Sequence, residues 1–397
     1  MTNRFPLPDI PQPHLPSNAA IVRTLEQLGD LAEVYLPARS AAATVALPEG
    51  AQTLRTGGCS SEGDGGGASF RRVASDPGHP GAMQTADGAW WEIDSAEIHP
   101  EQFGYADSAD LATKTSAIAD AAAVAAALKR TLRLGPGTYH CDMSATGIVL
   151  DDVRVAGRGR GITTLVADVQ EASDYCVFTA NSGRCVIEDI TLKYSGPSAD
   201  VDVDDCLLKM NPCDLILQNI GIASDYLPET ANYRRKSVDP DLSAAGNYTL
   251  EVKDCYIRGV DADIYTPLSG KFDLLMYRNR FDFSAVTIRA ATKDVTVSIT
   301  DNHFTETPGL RPQGISKNSL VDVRTLITPG AVRQCTISGN KFSNVKATNT
   351  ISSTNEVELI IIEKNNIRIP DTLDVDDSGI YIFTKFNEAD SLKGAVI

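Results

Sequence analysis

One hexapeptide pattern recurs along the second half of the chain, and it restricts the fold more than any other feature. An apolar residue is followed by three positions that close on a turn, one more residue, and a second apolar residue. The copies are Ile187–Leu192, Leu217–Ile222, Val252–Ile257, Met276–Phe281, Ile299–Phe304, Ile337–Phe342 and Ile362–Ile367. Their last apolar positions are separated by 30, 35, 24, 23, 38 and 25 residues. A repeat of about 20–25 residues suits one coil of a solenoid built from three short strands and three turns, and the longer intervals fit the same coil with an inserted loop. A single coil cannot bury its own apolar face, so the coils must stack.

The fourth position of the pattern holds Ile190, Ile220 and Cys255 in the first three copies, and Asn279, Asn302, Asn340 and Asn365 in the last four. A buried amide without a partner costs about 1–3 kcal/mol. Four amides at one turn position solve that problem if they stack as a structural ladder, each bonding to backbone groups of its own turn and to its neighbour's amide.

The rest of the chain is organised differently. Residues 1–16 carry five prolines and read as an extended arm, with Ser17 placed to cap a helix over 18–35. Residues 40–100 look like a small β unit around the glycine-rich turn Ser61–Phe70, where glycine supplies positive φ. Residues 108–130 are alanine-rich and helical by propensity, and Gly135-Pro136-Gly137 ends that run. From about residue 140 onward only short strands are expected. The resulting division is 1–35 arm and short helix, 36–100 small β domain, 101–140 helical cap and first coil, and 141–397 β-helix. The fold class is all-β: a right-handed parallel β-helix, a single-stranded solenoid, with a helix cap and a small β domain at its N-terminal end.

Charge and composition exclude several functions. With 52 acidic against 36 basic residues and a net charge of −16, neither nucleic acid nor an anionic membrane is an expected partner, although a local basic patch would still hold an acidic sugar. No stretch near 20 apolar residues occurs, so membrane insertion is not expected. The start MTNRFPLPDIPQPHLP has no apolar core after a basic residue, so a secretory leader is not expected either. That disfavours a secreted carbohydrate enzyme of an ordinary bacterium. The eight cysteines form no CxxC pair and do not cluster with histidines. Buried thiols are expected, with no metal site and no cofactor.

With these motifs in view, the chain resembles the phage tailspike and tail-fibre branch of the pectate-lyase-like β-helix superfamily. The likeness is carried by Glu62–Phe70 with Asp87–Glu92, by Phe103-Gly104 followed by the alanine-rich helix and Leu134–Tyr139, and by the asparagine-bearing repeats. The segment Tyr105–Asp110 departs from the family, replacing the usual Gly-Asp-Gly after the Phe-Gly pair. The coils run close to Ile397, leaving little room for a trimerising C-terminal domain. The resemblance implies a homotrimer in a virion, made in the host cytoplasm, whose N-terminal region meets other virion proteins and which binds host surface polysaccharide. Three functions follow: an adsorption spike, a depolymerase acting as glycoside hydrolase or lyase, or an adaptor contacting other virion proteins.

Candidate chemistry falls in the long intervals, with loops at about 195–205, 223–247 and 305–318 that would wall a groove if they share one side. Tyr226, Tyr233, Arg234 and Arg235 combine aromatic rings for sugar stacking with guanidinium forks for carboxylates, and are the candidate glycan-binding residues. Glycoside hydrolysis needs two carboxylates about 5–9 Å apart; Asp261 and Asp263 are the candidates, with turn residues as the plainer explanation. Alternating aspartates at 200–205 fit a strand with one wet face better than a calcium loop. His303 reads as an exposed turn histidine with a structural role. The acidic-pair and Arg-Lys signatures of pectin-degrading enzymes do not occur in recognisable form.

Overall fold

The structure is a computed structural model. It describes residues 34–144, 147–168, 176–195, 206–224, 236–240, 246–260, 262–265, 270–282, 284, 286–290, 294–305, 319–325, 332–343, 349–354, 359–368, 378–383 and 394–396.

A five-stranded sheet opens the described chain, its strands ordered Val34–Leu36, Thr53–Thr56, Ser69–Val73, Trp90–Ile93 and Ala82–Gln84. The first pair is parallel and the others antiparallel. Leu54, Phe70, Trp91 and Ile93 form its buried face. The helix expected over 18–35 does not extend through its last two positions. Val34 and Tyr35 are β-branched and aromatic, and they pair with Leu54 and Arg55. In the glycine-rich turn, Gly63 and Gly65 take positive φ, and Asp64 collects the N–H groups of Cys59, Ser60, Ser61 and Gly66 at 2.8–3.0 Å. Burial opposes ionisation of Asp64, but the four donors outweigh it and hold the carboxyl at about 2.

Helix α1 (Leu111–Leu128) starts where Asp110 accepts the Thr113 N–H at 2.7 Å. It buries Ala117, Ile118, Ala121, Ala122, Val124 and Ala125. By length and composition α1 could cross a membrane, but here this small-residue face lies against the first coil and closes the end of the solenoid.

The coils then stack in parallel. Strands of successive coils form an eleven-stranded first sheet, from Glu97–Ile98 to Gly394–Val396, and a nine-stranded second sheet, from Gly137–Asp142 to Asn366–Arg368. A third face is divided into a four-stranded sheet, starting at Ile148–Asp151, and a five-stranded sheet, starting at Ala262–Tyr265. Coils are numbered here by their strand in the second sheet, so coil 1 contains Gly137–Asp142 and coil 9 contains Asn366–Arg368.

The recurring hexapeptide is the corner between the first and second sheets. Its turn residue is left-handed in every copy: Asp189, Asn219, Asp254, Arg278, Asp301, Gly339 and Lys364 have φ between 50° and 66°. The next residue points inward. There Asn279, Asn302, Asn340 and Asn365 form one column. Asn279 Oδ1 accepts the Cys255 N–H at 2.9 Å, and each of the other three Oδ1 atoms accepts two bonds from the coil before it: Asn302 Oδ1 takes the backbone N–H of Asn279 at 2.9 Å and its Nδ2 at 3.0 Å. Asn340 Oδ1 serves Asn302, and Asn365 Oδ1 serves Asn340, in the same way. Each Nδ2 also donates to a carbonyl of the previous coil, namely Val252, Met276, Ile299 and Ile337. The expected bonds within each amide's own turn are therefore replaced by bonds between coils. The amides point along the solenoid axis, so the adjacent coils supply their partners.

Two residues beyond the amide, Phe281, Phe304 and Phe342 stack at centroid distances of 4.6 and 4.9 Å with nearly parallel rings. Leu192, Ile222 and Ile257 occupy the same interior column in earlier coils.

Candidate functional site

Alternation along each strand of the second sheet sends one set of side chains outward. In register, one outward column reads Thr191, Gly221, Tyr256, Arg280, His303, Lys341. The adjacent column reads Lys193, Ala223, Arg258, Asp282, Thr305, Ser343.

Tyr256 is the centre of a cluster on this face. Its hydroxyl donates to Asp282 Oδ2 at 2.7 Å, and Arg280 bonds both oxygens of the same carboxylate at 3.2 and 3.1 Å. The Arg280 guanidinium lies 5.5 Å from the Tyr256 ring centroid. From the other direction Arg160, in the turn of coil 2, reaches the same ring at 5.9 Å and the Asp254 carbonyl at 3.4 Å. Burial, and then the bond to Asp282, raise the Tyr256 pKa. The phenol therefore stays protonated and fixes the carboxylate beneath it.

His303 is half-buried and opens a strand; the expectation of an exposed turn residue is corrected, because Asn302 already completes the corner. Its Nε2 lies 3.2 Å from both Ser343 Oγ and Thr305 Oγ1. Burial lowers its pKa, Lys341 and Arg280 push the same way, and Asp282 opposes them.

A second polar group lies on the same sheet in coils 1–3. His140 Nδ1 is 3.1 Å from Asp168 Oδ2, and Ser195 Oγ donates to Asp168 Oδ1 at 2.5 Å. The carboxylate stands between hydroxyl and imidazole, so the imidazole does not activate the serine, as nucleophilic catalysis by this trio would require. Among the described residues no three His, Cys, Asp or Glu side chains converge as a metal site. A cavity of about 460 Å³ lies elsewhere, between the small sheet and α1, lined by Arg39, Cys59, Phe103 and Asp120.

The long connections leave from one corner. Residues 196–205, 225–235 and 306–318 each link a strand of the second sheet to a strand of the third face. The interval 223–247, expected as one loop, contains the strand Lys236–Pro240, which pairs with Cys206–Met210. With Val238 as its one aliphatic residue, it carries no apolar alternation that would mark a strand.

Tyr226, Tyr233, Arg234 and Arg235 fall in the coil 4 connection, outside the described residues, as does the aspartate run at 200–205. Asp261 also lies outside them, in the coil 5 connection at the same corner. Asp263 is not in a turn; its backbone is in strand Ala262–Tyr265, opposite Thr287. The Tyr256, Arg280 and Asp282 cluster was not singled out from sequence. Aligning the residues one and three places after the inward turn position would have brought it out.

Comparison with solved structures places this architecture. Over 89% of this chain and 63% of the other, the fold matches the gp42 tailspike of Acinetobacter phage vb_AbaP_AS12, with TM-score 0.52 and 11% identity. The chain has the fold of a phage tailspike β-helix. Weaker tailspike-like matches are the enzymatically active domain of tailspike protein 2 from bacteriophage CBA120 (TM-score 0.47, 12% identity, 93% of this chain and 59% of that one) and the glycan biofilm modifying enzyme WceF of Pantoea stewartii (0.43, 13%, 93% and 54%). The chain thus spans between half and two thirds of the length of these tailspike-like proteins. No family model matches the sequence. No curated protein matches it either.

Proposed function

We propose that the chain is a virion spike that adsorbs to host cell-surface polysaccharide through the outer face of the second sheet. On this reading it acts as a homotrimer, with its N-terminal region against other virion proteins. The observation that carries the proposal is the Tyr256, Arg280 and Asp282 cluster, a rigid aromatic and ionic platform next to the corner from which three long connections leave. Such platforms combine apolar area with fixed hydrogen-bonding groups, as sugar recognition requires. Tyr226, Tyr233, Arg234 and Arg235 would extend the surface from the coil 4 connection.

A second reading, depolymerisation, has its own support. Arg258 and Asp282 are in register on adjacent coils, and the Gly259 N–H bonds the Asp282 carbonyl at 3.0 Å. Asp261 follows Gly259 by two residues, so Asp261 and Asp282 belong to neighbouring coils at one corner, the arrangement from which a carboxylate pair is built. Asp263 lies two residues further along.

The two readings separate in one experiment. The full chain is incubated with a panel of purified bacterial capsular and lipopolysaccharides. Saturable binding with no new reducing ends, and no absorbance from unsaturated uronates, supports the adsorption spike. Chain shortening that disappears in Asp282→Asn supports the depolymerase. Neither binding nor cleavage on any polymer contradicts both.

A further inference from the structure

Part of the outer face of the second sheet is charged opposite to the molecule. The chain carries a net −16, yet from coil 5 to coil 8 the outward positions hold the cations Arg258, Arg280 and Lys341, with the His303 imidazole in coil 7. Arg258, Arg280 and Lys341 are exposed. The carboxylate among these positions is Asp282, which is already engaged by Tyr256 and Arg280.

Coil 4 has no long side chain at the outward positions Gly221 and Ala223, and Arg160 fills that gap from coil 2. Its stem crosses Gly221 so closely that a Cβ there would stand 3.3 Å from Arg160 Cγ. The guanidinium then rests over Tyr256 with the Asp254 carbonyl as its hydrogen-bond acceptor. No carboxylate pairs with Arg160 among the described residues, and its side chain is exposed. The missing side chain at Gly221 thus lets a borrowed cation continue the row. Neighbouring coils are about 4.8 Å apart, a spacing close to the length of one pyranose.

We infer that this row, Arg160, Arg258 and Lys341 with the Arg280–Asp282 pair between them, recognises a carboxylate-bearing polysaccharide lying along the solenoid axis. The inference rests on the surface-glycan reading and adds the chemical class of the glycan. An acidic polymer gains from each cation it meets in turn, and guanidinium groups bind carboxylates with paired hydrogen bonds. A neutral polymer would leave the row unused. The net negative charge elsewhere repels the same polymer, which confines it to this face.

The test starts from the polysaccharide that the full chain binds in the panel. Its carboxyl groups are reduced to primary alcohols, which keeps the backbone and removes the charge. Affinity for the reduced polymer is expected to fall at least about tenfold, as is that of the Arg160→Gln, Arg258→Gln double variant for the native polymer. The variant's affinity should also depend less on salt. Both side chains are exposed, so an unchanged circular dichroism spectrum and melting temperature are expected of that variant. A bound polymer without carboxylates, or affinities within about twofold after both changes, overturns the inference and leaves the spike reading standing. Binding to no polymer overturns both.

Discussion

Two stretches of one inward column serve the same corner by different means. In coils 3 and 4 the position is Ile190 and Ile220, fully buried and apolar. From coil 6 onward it is asparagine, and every amide is bonded to its neighbour. Cys255 stands at the junction: its backbone N–H donates to Asn279 Oδ1 at 2.9 Å, and its thiol reaches the Leu217 carbonyl at 3.4 Å. The residue before it is left-handed in both stretches, so the corner does not require asparagine. The aliphatic stretch gains by burial, which tolerates small changes of shape. The amide stretch gains by direction, and each rung depends on the next.

The largest effect should come from breaking the amide column in its middle. Asn302→Leu removes the acceptor of Asn279 N, one of the two acceptors of Asn279 Nδ2, and the amide donor to the Met276 carbonyl. At about 1–3 kcal/mol per buried orphan, and with incomplete additivity, a loss of about 3–5 kcal/mol is expected. Ile220→Val in the aliphatic stretch should cost only about 1 kcal/mol. Urea unfolding followed by circular dichroism measures both, and equal losses would erase the distinction.

Phe304→Leu comes next. It removes the central ring of the stack, and about 1–3 kcal/mol should be lost through area and ring pairing. Ile222→Leu, at the same column in the aliphatic stretch, should stay below about 1.5 kcal/mol. Shifts in urea midpoint give the comparison.

Gly339→Ala tests the turn residue shared by both stretches. With φ at 66° and a Cβ 2.3 Å from Asp301 Oδ1, alanine must displace that carboxylate. A cost of about 1 kcal/mol is expected, read from thermal melting, since the other coils hold side chains in the same backbone conformation.

The smallest effect should come from lengthening the amide column. Cys255→Asn places an Nδ2 within reach of the Leu217 carbonyl and Asn279 Oδ1, as Asn279 does one coil later. Stability within about 1 kcal/mol of the parent is expected. A large loss would show that the column ends at Asn279 for a reason other than sequence choice.

The same contrast explains what the sequence made visible. The corner is legible because a two-residue turn keeps Ile187 and Leu192, or Ile337 and Phe342, at fixed spacing in every coil. The third face is not, because connections of different length precede it, and Lys236–Pro240 has little apolar pattern of its own. Coil 2 escapes the pattern because its corner widens through Gly157–Ile162. The surface cluster is half legible. Tyr256, Arg280, His303 and Lys341 fall at one position once the repeats are aligned, but nothing local says that Arg160 reaches Asp254 across 94 residues. The candidates at 226–235 rest on residue type within a loop, a weaker guide than register.

The glycan should meet the outer face of the second sheet. Arginine modification by phenylglyoxal, read by mass spectrometry with and without saturating polysaccharide, tests it most directly. Arg160 and Arg258 should be shielded, while Arg184 and Arg333, exposed on strands of the first sheet, should react as in the free protein. Shielding of Arg184 and Arg333 with Arg160 and Arg258 left reactive would contradict it.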